Sequence, residues 1–215
     1  MMNRLKKQVA FLLAVGLLFN LTACSRPAGD DTLYFPTNTS NQEISASMSS
    51  ENVMKDVGEL YERADNVVVA SVVGCEPYSD GWISFVYSQA DIEETLKGEL
   101  HQGERITITE TGEHLENGND YSIDGVPLLY PGMKVILFLD SEGPLEDPER
   151  TGYGLIGGYA GKFIYHPDGS IYSFSLLGGK HVRTLSDAKE PMTEEQFRAL
   201  LPQESTTAAD TSVTE

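Results

Sequence analysis

Hydrophobic positions recur with a helical period at two places, one before and one after the central part of the chain. In residues 51–65 (ENVMKDVGELYERAD) the apolar side chains fall at i, i+4, i+7, i+8 and i+11, which is one face of an amphipathic helix. Near the other end, Thr193 and Gln196 have the spacing of a capping box, and Pro202 follows where a helix would stop. The pattern therefore predicts two helices, the second with an apolar stripe of Phe197, Leu200 and Leu201.

Between these helices the pattern predicts β-strands. Residues 66–74 are rich in β-branched side chains, as in a strand that is buried on both faces. Residues 82–92 and 105–111 alternate apolar with polar or small side chains, and residues 134–140 form a short, mostly apolar run. The segment His166-Pro167-Asp168-Gly169 has the residues of a hairpin turn between two further strands. We expect a mainly β fold with an extra hairpin.

The first 23 residues have the composition of an export signal. Arg4, Lys6 and Lys7 precede an apolar run over 9–19 that is shorter than the roughly twenty residues of a membrane-spanning helix. Leu21-Thr22-Ala23-Cys24 follows, which resembles the bacterial lipoprotein signal, where the cysteine is acylated and becomes the new N-terminus. We expect Cys24 to anchor the chain to the outer face of the cytoplasmic membrane. The alternative is ordinary secretion with an incidental cysteine.

Composition divides the rest of the chain into three parts. Residues 24–50 are rich in Ser, Thr, Asn and Pro, and residues 202–215 are similarly polar, so we expect a flexible tether and a disordered tail. Residues 51–201 are expected to form one domain with its own core. Cys75 is the only cysteine besides Cys24, so the domain has no internal disulfide and Cys75 is expected to be a buried, inert thiol.

The chain without its export signal is strongly acidic. The full sequence has 15 Lys and Arg against 33 Asp and Glu, and removal of the three basic residues of the signal leaves a net charge of −21. Such a surface repels phosphate backbones, so nucleic acid is excluded as a partner.

One glycine-rich segment imitates a nucleotide-binding motif. TGYGLIGGYAGK (151–162) contains Gly-x-Gly-x-x-Gly from Gly152 to Gly157 and ends in Gly161-Lys162. A dinucleotide site needs such glycines between a strand and a helix, with an acidic residue about twenty positions later. Here a predicted hairpin follows the glycines, and no Ser or Thr follows Lys162 as a phosphate-binding loop requires. We expect the glycines to turn a corner, with no nucleotide and no other cofactor bound.

Several short motifs resemble those of one known fold. They are residues 64–69, 95–98 (TLKG), 106–108 (ITI) and the strand–Pro-Gly–strand pattern over 129–139. Together they resemble the netrin-like domain, the OB-fold module of the tissue inhibitors of metalloproteinases, and also a group of small Gram-positive lipoproteins of obscure function. The resemblance covers roughly residues 55–165 and implies an OB-like five-stranded barrel with an N-terminal amphipathic helix, an extra β-hairpin and a short C-terminal helix.

The inhibitory mechanism of that family is not expected to carry over to this chain. The animal inhibitors are tied by several disulfides and insert a free N-terminal cysteine amine into the zinc site of the protease. This chain has no second cysteine for a disulfide within its domain, and its own N-terminal cysteine is expected to be acylated.

Two acidic loops are the only candidate cation sites in the sequence. Residues 113–125 and 140–149 carry carboxylates on flexible loops, with Asp120 and Asp124 as weak candidate metal ligands. Neither loop has the EF-hand pattern, so we expect solvated loops and no bound metal. No zinc-ligand motif or nucleophile elbow predicts a catalytic residue, and the histidines are scattered: His101, His114, His166 and His181.

Aromatic residues near predicted strand ends are the other candidate site. Tyr78, Trp82 and Tyr87 surround the first hairpin, and Tyr121 and Tyr153 lie further along the chain. On an OB-like barrel these rings could face a ligand, whereas ordinary packing in the core or rim is the alternative.

Three functions remain open at this point. The leading hypothesis is a membrane-anchored, non-enzymatic lipoprotein whose barrel binds an envelope protein or other ligand. The alternatives are an envelope hydrolase that uses acidic residues, with or without a divalent cation, and a structural accessory subunit of a membrane complex. Paired carboxylates of raised pKa in a cleft would favour the hydrolase, and an exposed apolar or aromatic patch would favour the binding protein.

Overall fold

The computed structural model describes residues 33–34, 42–44, 54, 56–79, 81–116, 118–123, 126–141, 152–173 and 191–202. Half of these residues lie in strands, so the fold is mainly β, as predicted. In chain order the strands are β1 Gln42–Ile44, β2 Asn66–Ser79, β3 Ser84–Lys97, β4 Arg105–His114, β5 Asp120–Ile123, β6 Lys134–Asp140, β7 Gly154–Leu155, β8 Lys162–Tyr165 and β9 Ile171–Ser173. The helices are α1 Val57–Arg63 and α2 Glu194–Arg198, and a 3-10 turn spans Gly158–Gly161.

Seven antiparallel strands curl into a half-barrel. The strand order is β4-β3-β2-β6-β8-β9, and β7 also pairs with β6. At one edge β5 pairs with the end of β4, and β1 pairs with β5 in parallel. The strongly β-branched stretch of β2 is thus central, with β3 and β6 on its two sides.

The curled sheet is bridged across its open side by Tyr153. Its N–H donates to Thr107 O at 2.8 Å and its carbonyl accepts from Thr109 N at 2.9 Å, which pairs it with Ile108 of β4 in parallel. Tyr153 leads directly into β7, which pairs antiparallel with β6. This segment therefore contacts β4 on one side and β6 on the other.

Two layers of apolar side chains hold the sheet. The inner layer fills the concave side and includes Val68, Ile108 and Leu137. The outer layer covers the convex side of β2, β6 and β8, where α1 and α2 pack; its rings include Phe163 and Phe197, whose centroids are 5.0 Å apart.

The helix predicted over residues 51–65 begins only at Val57, whereas the second helix begins with its predicted cap. Asp56 caps α1 by accepting from Glu59 N, and Val57 and Leu60 of its apolar face are buried. At α2, Thr193 and Gln196 form the predicted capping box. The predicted stripe of α2 is wrong at one position, because Leu200 is 48% exposed. The helix ends at Arg198, so Leu200 lies beyond its last turn.

The first hairpin is longer than the alternation of side chains predicts, although the TLKG motif (95–98) of the netrin-like resemblance implies a long strand that ends there. β2 continues past residue 74 to Ser79, and β3 continues past residue 92 to Lys97, although residues 93–95 are polar. The extra part of β3 pairs with Val67 to Val69 of β2, so backbone pairing to a buried neighbour overrides the local composition. Cys75 consequently lies within β2, where it is buried, as expected.

Part of the predicted tether lies on the domain. Residues 42–44 form β1, and Tyr34 N donates to Gly132 O at 2.9 Å. Leu33 packs against the outer layer and Tyr34 against the inner layer. Outside these two places the flexible tether expected over residues 24–50 stays a prediction. Cys24 lies outside the described residues.

Candidate functional site

The glycine-rich segment forms a corner between β7 and β8, as predicted. Gly157 and Gly158 have φ of 62° and 63°, in the left-handed region that strains residues with a Cβ. At Gly161 a Cβ would lie 2.8 Å from Ile156 O and 2.9 Å from Phe138 O. Backbone geometry thus accounts for these glycines, and a strand follows them instead of the helix that a dinucleotide site requires.

Lys162, which follows the corner, is buried in an ion pair. Its side chain is 1% exposed, and Nζ donates to Glu110 Oε1 and to Pro127 O, both at 2.5 Å. The Glu110 side chain is 6% exposed, and its Oε2 accepts from Leu129 N at 2.8 Å. The pair ties β4, β8 and the segment before β6 together. Lys162 therefore neutralises the Glu110 carboxylate. It does not follow a loop that leads into a helix, as a phosphate-binding lysine does.

A signal for this pair exists in the sequence, although the motif search missed it. Glu110 follows Ile106 and Ile108 at intervals of two on β4, and Lys162 precedes Ile164 by two on β8. Since successive side chains of a strand point to opposite faces, both charges share the inner face with these isoleucines. Two opposite charges at strand positions that point to the apolar face predict a buried ion pair.

A cavity of about 240 Å³ lies against the Glu110–Lys162 pair. Its apolar wall is formed by Ile123, Val126, Leu128, Leu155 and Tyr159. The polar side chains that line it, besides the pair, are Thr109, Thr111, Ser122 and Asp140. The Ser122 hydroxyl donates to Val126 O at 2.6 Å, so its oxygen retains lone pairs that can accept. The cavity thus combines apolar walls with a charged floor.

Asp120 is buried in β5 and does not lie on a solvated acidic loop, contrary to expectation. Its Oδ1 accepts from Tyr130 OH at 2.6 Å and lies 2.8 Å from His114 Nδ1. Its Oδ2 accepts from Leu128 N at 2.7 Å. Both oxygens therefore hold the strand and the segment before β6 in place. The other weak metal candidate, Asp124, lies outside the described residues.

Aromatic rings pack around the Asp120 carboxylate. The Tyr130 ring centroid is 4.0 Å from that of His114 and 5.2 Å from that of Tyr34. Burial, with the negative charge of Asp120, raises the pKa of the Tyr34 phenol. The Nε2 of His114 is buried and has no hydrogen-bond partner among the described residues. Within the described part of the chain, no group of three or more His, Cys, Asp and Glu residues could hold a metal ion.

Two partly exposed carboxylates on β3, Glu93 and Glu94, have lowered pKa values, whereas an acid catalyst needs a raised one. Hydrogen bonds from Arg198 lower the pKa of Glu94. Burial alone would raise the pKa of Glu93, but hydrogen bonds, chiefly from Lys134, lower it below its ordinary value. Neither group has the raised pKa that a general acid needs at neutral pH.

The five aromatic residues predicted to face a ligand do not form one surface. Tyr78, Trp82 and Tyr87 share the β2–β3 hairpin, whereas Tyr121 lies on β5 and Tyr153 bridges to β4. The rings of Tyr78 and Tyr87 are 5.7 Å apart between centroids. Tyr87 is buried, which favours the packing alternative for its ring, and a ligand-facing role of these residues stays a prediction.

The tip of the β2–β3 hairpin presents the most exposed large apolar side chain of the described residues. Trp82 is 93% exposed and Ile83 is 49% exposed, and both lie between the last strand pair, Ser79 and Ser84. A small groove next to them is lined by Pro77, Tyr78, Ser79, Ser84, Phe85 and Glu113. A tryptophan that is almost fully exposed at a hairpin tip is typical of an interaction site.

Comparisons with family models, with curated proteins and with solved structures find no match. The netrin-like resemblance therefore stays a prediction. Among the described residues no helix is long and apolar enough to cross a membrane.

Proposed function

We propose that this chain is a lipid-anchored extracytoplasmic protein whose β domain binds an envelope protein or other ligand without catalysing a reaction. The anchor follows from the export signal and from Cys24 after Leu-Thr-Ala. The observation that carries the binding function is the exposure of Trp82, together with Ile83, at the tip of a long hairpin. Tryptophan is the residue most enriched among those that dominate binding energy.

We infer further that the domain is an OB-like barrel. The strands β4-β3-β2-β6-β7 form a ring if the bridge at Tyr153 is its closure. The strand order supports this inference. β2, β3 and β4 form a meander, and the segment of Tyr153 and β7 lies parallel to β4 and antiparallel to β6. In this fold ligands bind on loops and on one strand face, and the β2–β3 tip would be such a loop.

The hydrolase alternative receives less support from the site. The cavity carboxylate Glu110 is neutralised by Lys162 instead of being paired with a second carboxylate. Asp140 also lines the cavity, but no described feature pairs it with Glu110 as an acid–base couple. The proposed function is therefore binding.

Replacing Cys24 with alanine should release the protein from membranes or leave it unprocessed, because two acyl chains are needed for stable anchoring. Metabolic labelling of cells with an alkyne fatty acid measures the lipid directly. Cys75→Ala is the matched control, since Cys75 is buried in β2 and should not affect labelling. Equal labelling of Cys24→Ala and the unaltered protein would contradict the anchor.

Trp82 can be followed by its own fluorescence, because it is the only tryptophan of the chain. In the isolated protein, we expect acrylamide to quench the fluorescence of Trp82 as readily as that of a free tryptophan amide. In crosslinked cells, Trp82→Ala should lower the yield of specific crosslinked species by roughly tenfold or more, the effect of losing a residue that dominates an interface.

The control for this experiment is Leu200→Ala, which shortens another half-exposed apolar side chain, one outside the hairpin. Both substitutions should leave the free energy of unfolding within about 0.5 kcal/mol of the original, as surface changes usually do. Equal loss of crosslinks in both variants, or no loss in Trp82→Ala, would exclude the hairpin tip as the binding surface.

A further inference from the structure

The tip of the β2–β3 hairpin has an acidic border. Glu113 of β4 is exposed and lines the groove beside the tip. Glu76 of β2 is exposed as well and precedes Tyr78 by two residues in a stretch of regular pairing, so both side chains lie on the same face of the strand. Tyr78 lines the same groove. Two carboxylates therefore border the apolar side chains of Trp82 and Ile83.

These two carboxylates have no counter-charge within the described part of the chain. Neither Glu76 nor Glu113 forms an ion pair with a described residue. Glu94, near the other end of β3, shows the contrast, because Arg198 pairs with it. The border of the tip can therefore pair with cations of another molecule.

The strands that form this end of the sheet supply almost no basic side chain. Residues 66–96 contain no Lys, Arg or His, and residues 106–133 contain only His114. Beyond the export signal the chain has 12 basic against 33 acidic residues, so the wider field is negative as well. Facing charges of the same sign are unfavourable at an interface. The tip therefore disfavours an acidic partner and an anionic lipid surface, and it favours a basic partner.

The rings beside the carboxylates favour arginine over lysine as the partner's cation. The ring of Tyr78 has its centroid 6.4 Å from that of Phe85 and 5.7 Å from that of Tyr87, so the groove has an aromatic wall. Trp82 adds an indole that is 93% exposed. A guanidinium group stacks on aromatic faces and binds a carboxylate through two N–H donors, whereas an ammonium group is a strongly hydrated point charge.

We propose that the hairpin tip binds a basic peptide segment of a partner protein, in which arginine flanks an apolar side chain. The arginine pairs with Glu76 or Glu113 and stacks on the neighbouring rings. The apolar side chain packs against Trp82 and Ile83. This inference rests on the proposed binding function and adds the chemistry of the partner.

Peptides that differ only in charge test the proposal. Trp82 is the only tryptophan of the chain, so its emission reports the binding of peptides that contain none. The full chain would be anchored in vesicles of phosphatidylcholine, whose head groups carry no net charge. Short peptides of glycine and serine would carry one central leucine, flanked on both sides by arginine, by neutral citrulline or by glutamate.

We expect the arginine peptide to shift the emission of Trp82 and the glutamate peptide to leave it unchanged. The citrulline peptide should bind at least about fivefold more weakly than the arginine peptide, the combined effect of exposed ion pairs and of cation–π contact. Raising the salt concentration from about 0.05 M to about 0.5 M should remove most of this difference, because exposed charges are then screened.

Two double variants locate the charges. Glu76→Gln/Glu113→Gln should lower the affinity for the arginine peptide to that for the citrulline peptide. Glu62→Gln/Glu99→Gln removes the same charge from two exposed carboxylates outside the hairpin tip, on α1 and after β3, and should leave the affinity unchanged. Equal effects of the two variants would show attraction by the overall charge alone and would overturn the proposal.

The proposal is also overturned if the arginine peptide does not bind, or if the citrulline or the glutamate peptide binds as tightly. Blue-shifted emission of Trp82 in the vesicles before any peptide is added would overturn it too, because the tip would then lie in lipid. Crosslinking in cells separates this proposal from the binding function itself. If Trp82→Ala loses the crosslinked species and Glu76→Gln/Glu113→Gln keeps them, the tip binds a partner of another chemistry. Loss in both of these variants, but not in Glu62→Gln/Glu99→Gln, supports the basic partner.

Discussion

Lys162→Met is expected to destabilise the domain by about 3–5 kcal/mol, because it leaves the Glu110 carboxylate buried without its counter-charge. The side chains of both residues are almost fully buried, so solvent cannot take the place of the ammonium group. The lost hydrogen bond to Pro127 O adds to the effect, since a second buried acceptor becomes unpaired. Urea unfolding at neutral pH measures the loss as a lower transition midpoint at unchanged slope.

The double variant Glu110→Gln/Lys162→Met is the control for this prediction. A neutral glutamine can still accept from Leu129 N through its side-chain oxygen, and no buried charge remains. We expect it to recover most of the lost free energy, as replacement of whole buried ion pairs often does. If Lys162→Met unfolds at the same urea concentration as the original protein, the ammonium group does not contribute to the fold as described.

Gly161→Ala is expected to cost about 2–3 kcal/mol, near the upper range for overpacking. The new methyl group would lie 2.8 Å from Ile156 O and 2.9 Å from Phe138 O, and both atoms belong to the backbone. Phe138 O already accepts from Ile156 N at 3.0 Å, so relief requires the corner to move away from β6. Thermal and urea unfolding would detect the loss.

Gly74→Ala is the matched control for Gly161→Ala, because it adds the same methyl group to a strand glycine with space around it. The nearest atom to that Cβ is Gln89 Oε1 at 3.8 Å, an ordinary contact. We expect its free energy of unfolding to stay within about 0.5 kcal/mol of the original. Equal effects of the two substitutions would contradict the role of the corner. Neither of these two variants should bind ATP or NAD in equilibrium dialysis.

Strands with regular patterns could be predicted from the sequence, and strands held by their neighbours could not. Residues 134–140 are predicted and observed as the same strand, because a short apolar run between turn residues has few alternatives. The end of β3 is polar and shows no alternation, so only the TLKG motif of the resemblance indicates it; it is a strand because β2 pairs with it. β1 is a case of the same kind, since three residues of a polar segment become a strand only beside β5.

The Glu110–Lys162 pair does not match any sequence motif, because motifs consist of residues that are close together in the sequence. Glu110 and Lys162 are 52 residues apart, and only their shared alternation with buried isoleucines indicates that they meet. Asp120 was expected in water because its surroundings in sequence are acidic and rich in Gly and Asn. Its partners Leu128 N and Tyr130 OH come from the next segment, which the local composition does not reveal.

The contact of Tyr34 with the domain limits how far the protein can reach if Cys24 is acylated. Ten residue steps separate Cys24 from Tyr34, and at about 3.5 Å for each step they span at most ~35 Å. This length is close to the diameter of a domain of this size, which is about 40 Å. The domain would then occupy the layer directly above the bilayer, with the side around Tyr34 and Tyr130 held nearest to the lipid. A partner would have to be embedded in that membrane or enter this layer, and the outer parts of the cell wall would lie beyond the protein's range.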